Sequence, residues 1–375
     1  QWYDAVKISG DRVSLGGVFH LNQHFSLTAN TSDGVQLPER NRSVLPIERP
    51  ADPYPGESRD AGINFSFLNN RIAGSVRVYE SVMRKEPSNG GVTTTFVNPN
   101  NDVMSSFEYY YRQAGLTNLG ANAPISSIDD FRAVYFSEAD AYLSDAESKG
   151  FEFEVIANVT RNWSIRAGYA NTRNSRTNVL TEGEGWWAER LELWEQLDAY
   201  YMAQTGRPSI YNQLMIDRNN AVTDRSVIDR IGDSATELAA IRAEEQHGFG
   251  VRRHKVNLWT RYTFSSGPLK GLAVGGGHIY QSGNLAGYDV ATGRSFYGES
   301  RSIFDLFLQY RTKGFLGMSK DRLLVTYQLN VNNLFDSDTV LSTKLLVDSV
   351  TGELYNRRAY LETPRTATFT LRFNF

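Results

Sequence analysis

The chain has 375 residues, of which 41% are hydrophobic and 22% charged, with a formal net charge of -3. That balance argues against a nucleic-acid partner, and no stretch approaches the roughly 20 apolar residues of a membrane-spanning helix. The absence of cysteine removes disulfide frameworks, thiolate metal sites and Cys nucleophiles together, and it suits passage through an oxidising compartment. The chain begins at Gln1 with no charged region leading into an apolar core. An exported protein carries such a leader, so the precursor is expected to start upstream of this sequence.

In chain order, strand-like segments come in pairs. Val13, Leu15, Gly17, Phe19 and Leu21 alternate with Ser14, Gly16, Val18 and His20; a turn at Asn22-Gln23 leads to Phe25, Leu27 and Ala29. Ile63, Phe65 and Phe67 lead through Asn69-Asn70 to Ile72, Val76 and Val78. Phe151, Phe153, Val155, Ala157 and Val159 lead through Arg161-Asn162 to Trp163, Ile165, Ala167 and Tyr169. Val256, Leu258, Tyr262 and Phe264 lead through Ser265 to Pro268 into residues 271–282, where Gly275, Gly276 and Gly277 weaken the alternation. Phe304, Leu306, Leu308 and Tyr310 lead past Lys313-Gly314 to Leu323, Val325, Tyr327, Leu329 and Val331. The last strand has Ala367, Phe369, Leu371, Phe373 and Phe375 on one face and Thr366, Thr368, Thr370, Arg372 and Asn374 on the other. Period-two alternation belongs to an extended strand. The total is about eleven strands, each able to cross a bilayer at roughly 9–11 residues.

The other connections are long: residues 33–57, 85–146, 177–251, 283–299 and 342–362. Residues 187–204 space Leu191, Trp194, Leu197 and Tyr201 as a helix does, and residues 223–245 place Val227, Ile228, Ile231, Leu238 and Ile241 among acids and arginines, also as an amphipathic helix. These helices are expected to pack against a barrel mouth or each other, or else to form a lid over a ligand. Short turns at one end and long loops at the other are the asymmetry of an outer-membrane barrel. With 20 Tyr, 20 Phe and 6 Trp, the chain can supply interfacial girdles. The fold class is therefore all-β: a transmembrane antiparallel β-barrel with long extracellular loops, some of them helical.

Several segments then resemble one family. Ser148 to Glu154 with Asn162-Trp163-Ser164 and Ala167-Gly168-Tyr169 is similar to a recurrent hairpin of TonB-dependent outer-membrane receptors. His254 to Tyr262, Gly275-Gly276-Gly277 with Tyr280, Leu329 to Asp336, and Pro364 to Phe375 resemble later strands of the same family, in order. The likeness covers roughly residues 59–83 and 147–375. It implies a 22-strand barrel with an N-terminal plug and a TonB-energised cycle. An odd count of about eleven strands does not match the even numbers of single-chain bacterial barrels. Residues 1–375 are therefore expected to be a single partial domain, the C-terminal half of the barrel, without the plug or the first half.

None of the five histidines, His20, His24, His247, His254 and His278, has a metal-site spacing. The Glu152/Glu154 pair reads as solvated lumen charge beside Lys149 and Arg166 rather than as an acid/base pair. No metal, cofactor or catalytic residue is assigned. Clustered aromatics in exposed loops often bind, which nominates Tyr109, Tyr110, Tyr111, Trp186 and Trp187 for substrate contact against a plain role in anchoring their own loops. Phe369, Leu371, Phe373 and Phe375 are the expected signal to the barrel-assembly machinery. The resemblance implies a ferric siderophore or another large ligand, outer-membrane lipid, and the TonB complex acting through the missing N-terminal part. Two rivals stand beside this reading: a passive porin-like barrel and a soluble all-β carbohydrate-binding protein.

Overall fold

The computed structural model describes residues 10–39, 42–46, 48–88, 91–120, 122–129, 131–313, 323–348 and 351–374. Its strands are β1 Val13–His20, β2 Phe25–Gln36, β3 Tyr54–Phe67, β4 Ile72–Ser88, β5 Tyr142–Asn158, β6 Trp163–Thr177, β7 Leu214–Ile216, β8 Val222–Ser226, β9 His254–Thr263, β10 Leu272–Gln281, β11 Leu285–Asp289, β12 Arg294–Tyr297, β13 Arg301–Lys313, β14 Leu324–Asn332, β15 Val340–Val347, β16 Leu354–Leu361 and β17 Thr366–Asn374. The helices are α1 Asn98–Gln113, α2 Thr181–Thr205 and α3 Val227–Gln246.

Eleven strands form one antiparallel sheet in the order β1-β2-β3-β4-β5-β6-β9-β10-β13-β14-β17. The sheet is open, with β1 and β17 at its two ends. Each strand pairs with its neighbour in the sheet sequence, as hairpin-connected strands do. The pairs β7-β8, β11-β12 and β15-β16 stand apart as small hairpins in the loops.

Register sorts the side chains. Directly opposed residues of antiparallel strands share a face. One row runs Phe19, Leu27, Ile63, Val76, Phe153, Tyr169, Val256 and Tyr280 across β1 to β10. A second runs Trp163, Tyr262, Val274, Leu308, Leu329 and Phe369 across β6 to β17. The opposite face carries Thr28, Gly62, Arg77, Glu152, Ala170, Lys255, Gln281 and Arg301. An apolar face and a polar face thus extend over the whole sheet, as lipid and lumen require. Gly277 makes room on the polar face: a Cβ there would come within 2.9 Å of the Trp259 ring.

The apolar face has limits. At its lower end lie Trp163, Tyr262, Phe264, Tyr310 and Tyr327, with Tyr262 and Phe264 rings 4.9 Å apart. Phe151 and Tyr169 mark the upper end, 5.3 Å apart. Above them an opposed row of Arg59, Glu80, Lys149 and Arg173 begins the charged region. From Ala157 to Phe151 the apolar stretch of β5 is about 20 Å long at ~3.4 Å per residue, comparable to the apolar band of about 25 Å in outer-membrane barrels.

The short turns β1-β2, β3-β4, β5-β6 and β9-β10 fall at one end, and the long connections at the other. Several strands run well past the apolar band into those connections, so the loops begin later than the alternation predicts. The turn expected at Lys313-Gly314 runs into residues 314–322, which lie outside the described residues.

Candidate functional site

The two longest connections build a folded cap at the end opposite the short turns. The first contributes α1 and a turn at Phe131–Tyr135; the second contributes α2, β7, β8 and α3. Val103, Met104, Phe107 and Tyr111 sit at helical spacing on α1 and are wholly buried. They meet Trp194, Leu197 and Tyr201 of α2, with Ile128, Phe131, Ile210, Met215 and Val227 closing the core. A second core beside it gathers Leu45, Val92, Phe96, Val97, Ala139, Tyr142, Val179, Leu180 and Trp186.

Local sequence explains these helices. Pro99 stands in the first turn of α1, where its missing N–H costs nothing. Ser226 caps α3, accepting from the Asp229 amide while the Asp229 carboxylate accepts from the Ser226 amide. Gly206 ends α2 with φ 65°, a left-handed conformation suited to glycine. Leu180, just before α2, has φ 59°. A leucine there is strained, and its fully buried side chain in the second core holds it in place.

Several of the buried polar groups are paired. Asp102 accepts from the Arg218 amide at 3.1 Å, from Arg218 Nη1 at 3.3 Å and from Arg230 Nε at 3.2 Å. The Asp198 carboxylate accepts from the Ile210 amide at 2.6 Å. Trp194 donates to Met104 Sδ at 3.0 Å. At the far end of α3, Glu244 meets Lys344 of β15 at 2.5 Å. Its neighbour Glu245 lies 3.5 Å from Arg176 of β6, which also holds Glu86 of β4 at 2.7 Å. Burial pushes the Glu245 carboxyl above its ordinary range, with Arg176 opposing. The Arg242 hydrogen bond holds Glu184 below the usual carboxylate range despite some burial.

The nominated aromatics fall at different depths in this cap. Tyr111 is wholly buried, and its hydroxyl donates to the Leu197 carbonyl at 2.6 Å. Burial raises its pKa. Tyr110 donates to the Leu214 carbonyl at 2.7 Å. Tyr109 is 40% exposed, with its ring 5.2 Å from that of Tyr110. Trp186 is buried in the second core, whereas Trp187 packs at the seam, 5.2 Å from both Phe96 and Trp194. Sequence reasoning passed over Arg190, whose guanidinium lies over the Trp186 and Tyr135 rings; the one signal was its place one turn after Trp186-Trp187. Phe369, Leu371 and Phe373 stand on the apolar face of β17, and Phe375 lies outside the described residues. Among the described residues, no group of three or more His, Cys, Asp or Glu side chains is placed to hold a metal ion.

A family model described as TonB dependent receptor-like, beta-barrel matches residues 12–334. The chain belongs to that family. Its place is the bacterial outer membrane, and such receptors are transporters rather than enzymes. The ferrichrome outer membrane transporter/phage receptor of Escherichia coli (strain K12) is 36% identical over 92 residues, 24% of this chain and 11% of that protein. The ferripyoverdine receptor of the outer membrane of Pseudomonas aeruginosa, solved bound to ferripyoverdine, matches with a TM-score of 0.50 and 16% identity, covering 96% of this chain and 32% of that one. A pyoverdine outer membrane receptor from Pseudomonas aeruginosa PAO1, bound to pyoverdine, gives a TM-score of 0.50 at 16% identity, covering 96% of this chain and 36% of that one. The chain thus spans about a tenth of the curated relative and about a third of the solved receptors. At such identity the structural likeness establishes fold. Family membership overturns the reading as a soluble carbohydrate-binding protein.

Proposed function

We propose that this chain is the C-terminal half of the barrel of an outer-membrane receptor that takes up a scarce ligand, most concretely a ferric siderophore, with energy supplied by TonB. The observation that carries the reading is the cap: two long loops fold into one helical unit at the end opposite the short turns. A diffusion pore needs an open mouth, whereas a receptor needs a shaped, stable surface at which to capture ligand. The relatives, a ferrichrome transporter and a receptor solved bound to ferripyoverdine, support the ligand class. In this reading the plug and the remaining strands belong to a part of the receptor upstream of Gln1, through which TonB acts. Tyr109 is the nominated aromatic best exposed for ligand contact. Phe369, Leu371, Phe373 and Phe375 serve the barrel-assembly machinery.

Deleting the receptor in its host and feeding single ferric chelates under iron limitation tests this. Uptake of one chelate should disappear with the receptor and also in a strain lacking TonB. Receptor-dependent uptake that persists without TonB would make the passive porin the better account.

A further inference from the structure

Most arginines of the cap are matched by carboxylates: Arg112 by Asp129, Arg132 by Glu108, Arg225 by Asp233 and Arg242 by Glu184. Arg190 on α2 differs. Its guanidinium carbon lies 4.9 Å from the centre of the Trp186 ring and 5.2 Å from that of Tyr135. Its Nε is closed to solvent and meets no acceptor. Among the described residues no carboxylate forms an ion pair with it. Burial lowers its pKa, while Glu48, Tyr135 and Glu189 act in the opposite sense. An arginine remains charged regardless. Here, then, is a cation drawn partly out of water that rests on aromatic rings and, among the described residues, is in ion-pair contact with no carboxylate.

Its location adds to this. Trp186 belongs to one core of the cap, while Tyr135 packs against the other. Arg190 therefore sits at the seam where the two long loops meet. A guanidinium resting on ring faces keeps its N–H fork in a fixed plane, and that fork matches a carboxylate with two parallel hydrogen bonds.

We propose that Arg190, over the Trp186 and Tyr135 rings, is an anion subsite of the cap and takes a carboxylate carried at the periphery of the ligand. Trp186 is too buried to touch ligand and acts by positioning the cation. The inference rests on the reading of the cap as the ligand-capturing surface.

The receptor carrying this chain, purified in detergent, is titrated with citrate as the probe, by tryptophan emission and by calorimetry. Saturable binding is expected, weakened about tenfold or more in Arg190→Gln and about threefold in Arg190→Lys, which keeps the charge but loses the fork. Arg207→Gln, an exposed arginine just beyond α2, should bind like the parent. Inorganic phosphate should bind more weakly than citrate. No saturable citrate binding by the parent, equal binding by Arg190→Gln, or a preference for phosphate would each overturn the subsite. If Arg190→Gln fails to fold, a folded Arg190→Lys with unchanged citrate affinity overturns it. Chelate uptake in cells is scored separately: lost uptake specificity with intact citrate binding faults the functional reading, whereas unchanged citrate binding in Arg190→Gln faults the subsite alone.

Discussion

Asp102 shows how the cap holds charge in its interior. Its side chain is 5% exposed and accepts from both Arg218 and Arg230. Removing one partner of a buried pair leaves the other uncompensated, at a cost of roughly 3–5 kcal/mol. Asp102→Ala should therefore loosen α1 from α3 by about 3 kcal/mol, read as lost hydrogen-exchange protection in α1 and α3 with the sheet unchanged. Unchanged protection would mean that water replaces the carboxylate. Glu245 acts in the opposite sense. Burial raises its pKa, so the folded state binds the proton more tightly than the unfolded one. Its contribution is most favourable below the ordinary carboxylate range and is lost as pH rises through the raised value. Glu245→Gln should then flatten the pH dependence of cap melting in the mildly acid range and stabilise the cap at neutral pH. A melting curve that keeps the parent's slope would show that the Arg176 contact outweighs burial. Little of this residue-level detail was legible in the sequence. Tyr109 to Tyr111 read as one cluster, yet the turn of α1 sends Tyr111 inward and leaves Tyr109 facing out.

At the scale of elements, the strands were plain because period-two alternation survives wherever one face meets lipid. The final strand makes the strongest case. Its register sets Phe369 opposite Leu329 and Thr370 opposite Gln328, so single substitutions can test the two faces against each other. Leu371→Arg should cost roughly 2–4 kcal/mol if it lies near the bilayer midplane, falling toward nothing near the interface, while Thr370→Arg on the polar face should be tolerated. Heat-modifiable migration after folding into detergent reads the difference, and equal tolerance of the two would reverse the faces. Two of the three helices, α2 and α3, were legible from apolar spacing, although both begin or end a few residues from the expected bounds. α1 was not. Its first turns are Asn98, Pro99, Asn100, Asn101 and Asp102, residues that favour caps and turns, and the buried ones find distant partners: Asn100 and Asn101 donate to the Tyr135 and Ser137 carbonyls, and Asp102 accepts from Arg218 and Arg230. The hairpin β15-β16 was hidden in the same way. Its ladder is interrupted by bulges at Ser342 and Lys344, and bulges break the alternation by which a strand is read.

For the whole molecule, the question is how the sheet and the cap complete one another. The cap is tied down at the C-terminal end of α3: Glu244 to Lys344 of the β15-β16 hairpin, Glu245 to Arg176 at the end of β6, and the His247 ring stacked 4.7 Å from Tyr288 of β11. One helix end thus joins two connections of the sheet and the end of one of its strands, and the cap should remain folded wherever the sheet does. The sheet itself ends at β1 and β17. Both carry the apolar face into the band, with Leu15 73% and Phe369 65% exposed. Backbone groups along two open edges inside hydrocarbon cost several kcal/mol each, a sum that exceeds the stability of most domains. Residues 1–375 expressed alone should therefore aggregate or stay unfolded in detergent. Co-expression with the remaining barrel strands should restore heat-modifiable migration, with β17 pairing onto a strand outside this chain. A stable, closed barrel from residues 1–375 alone would require β1 to pair with β17 and would end the half-barrel proposal. A cap that folds without any sheet, seen as protease-resistant α1 to α3 in the aggregated chain, would show instead that the extracellular unit is stabilised by its own two cores and not by the rim beneath it.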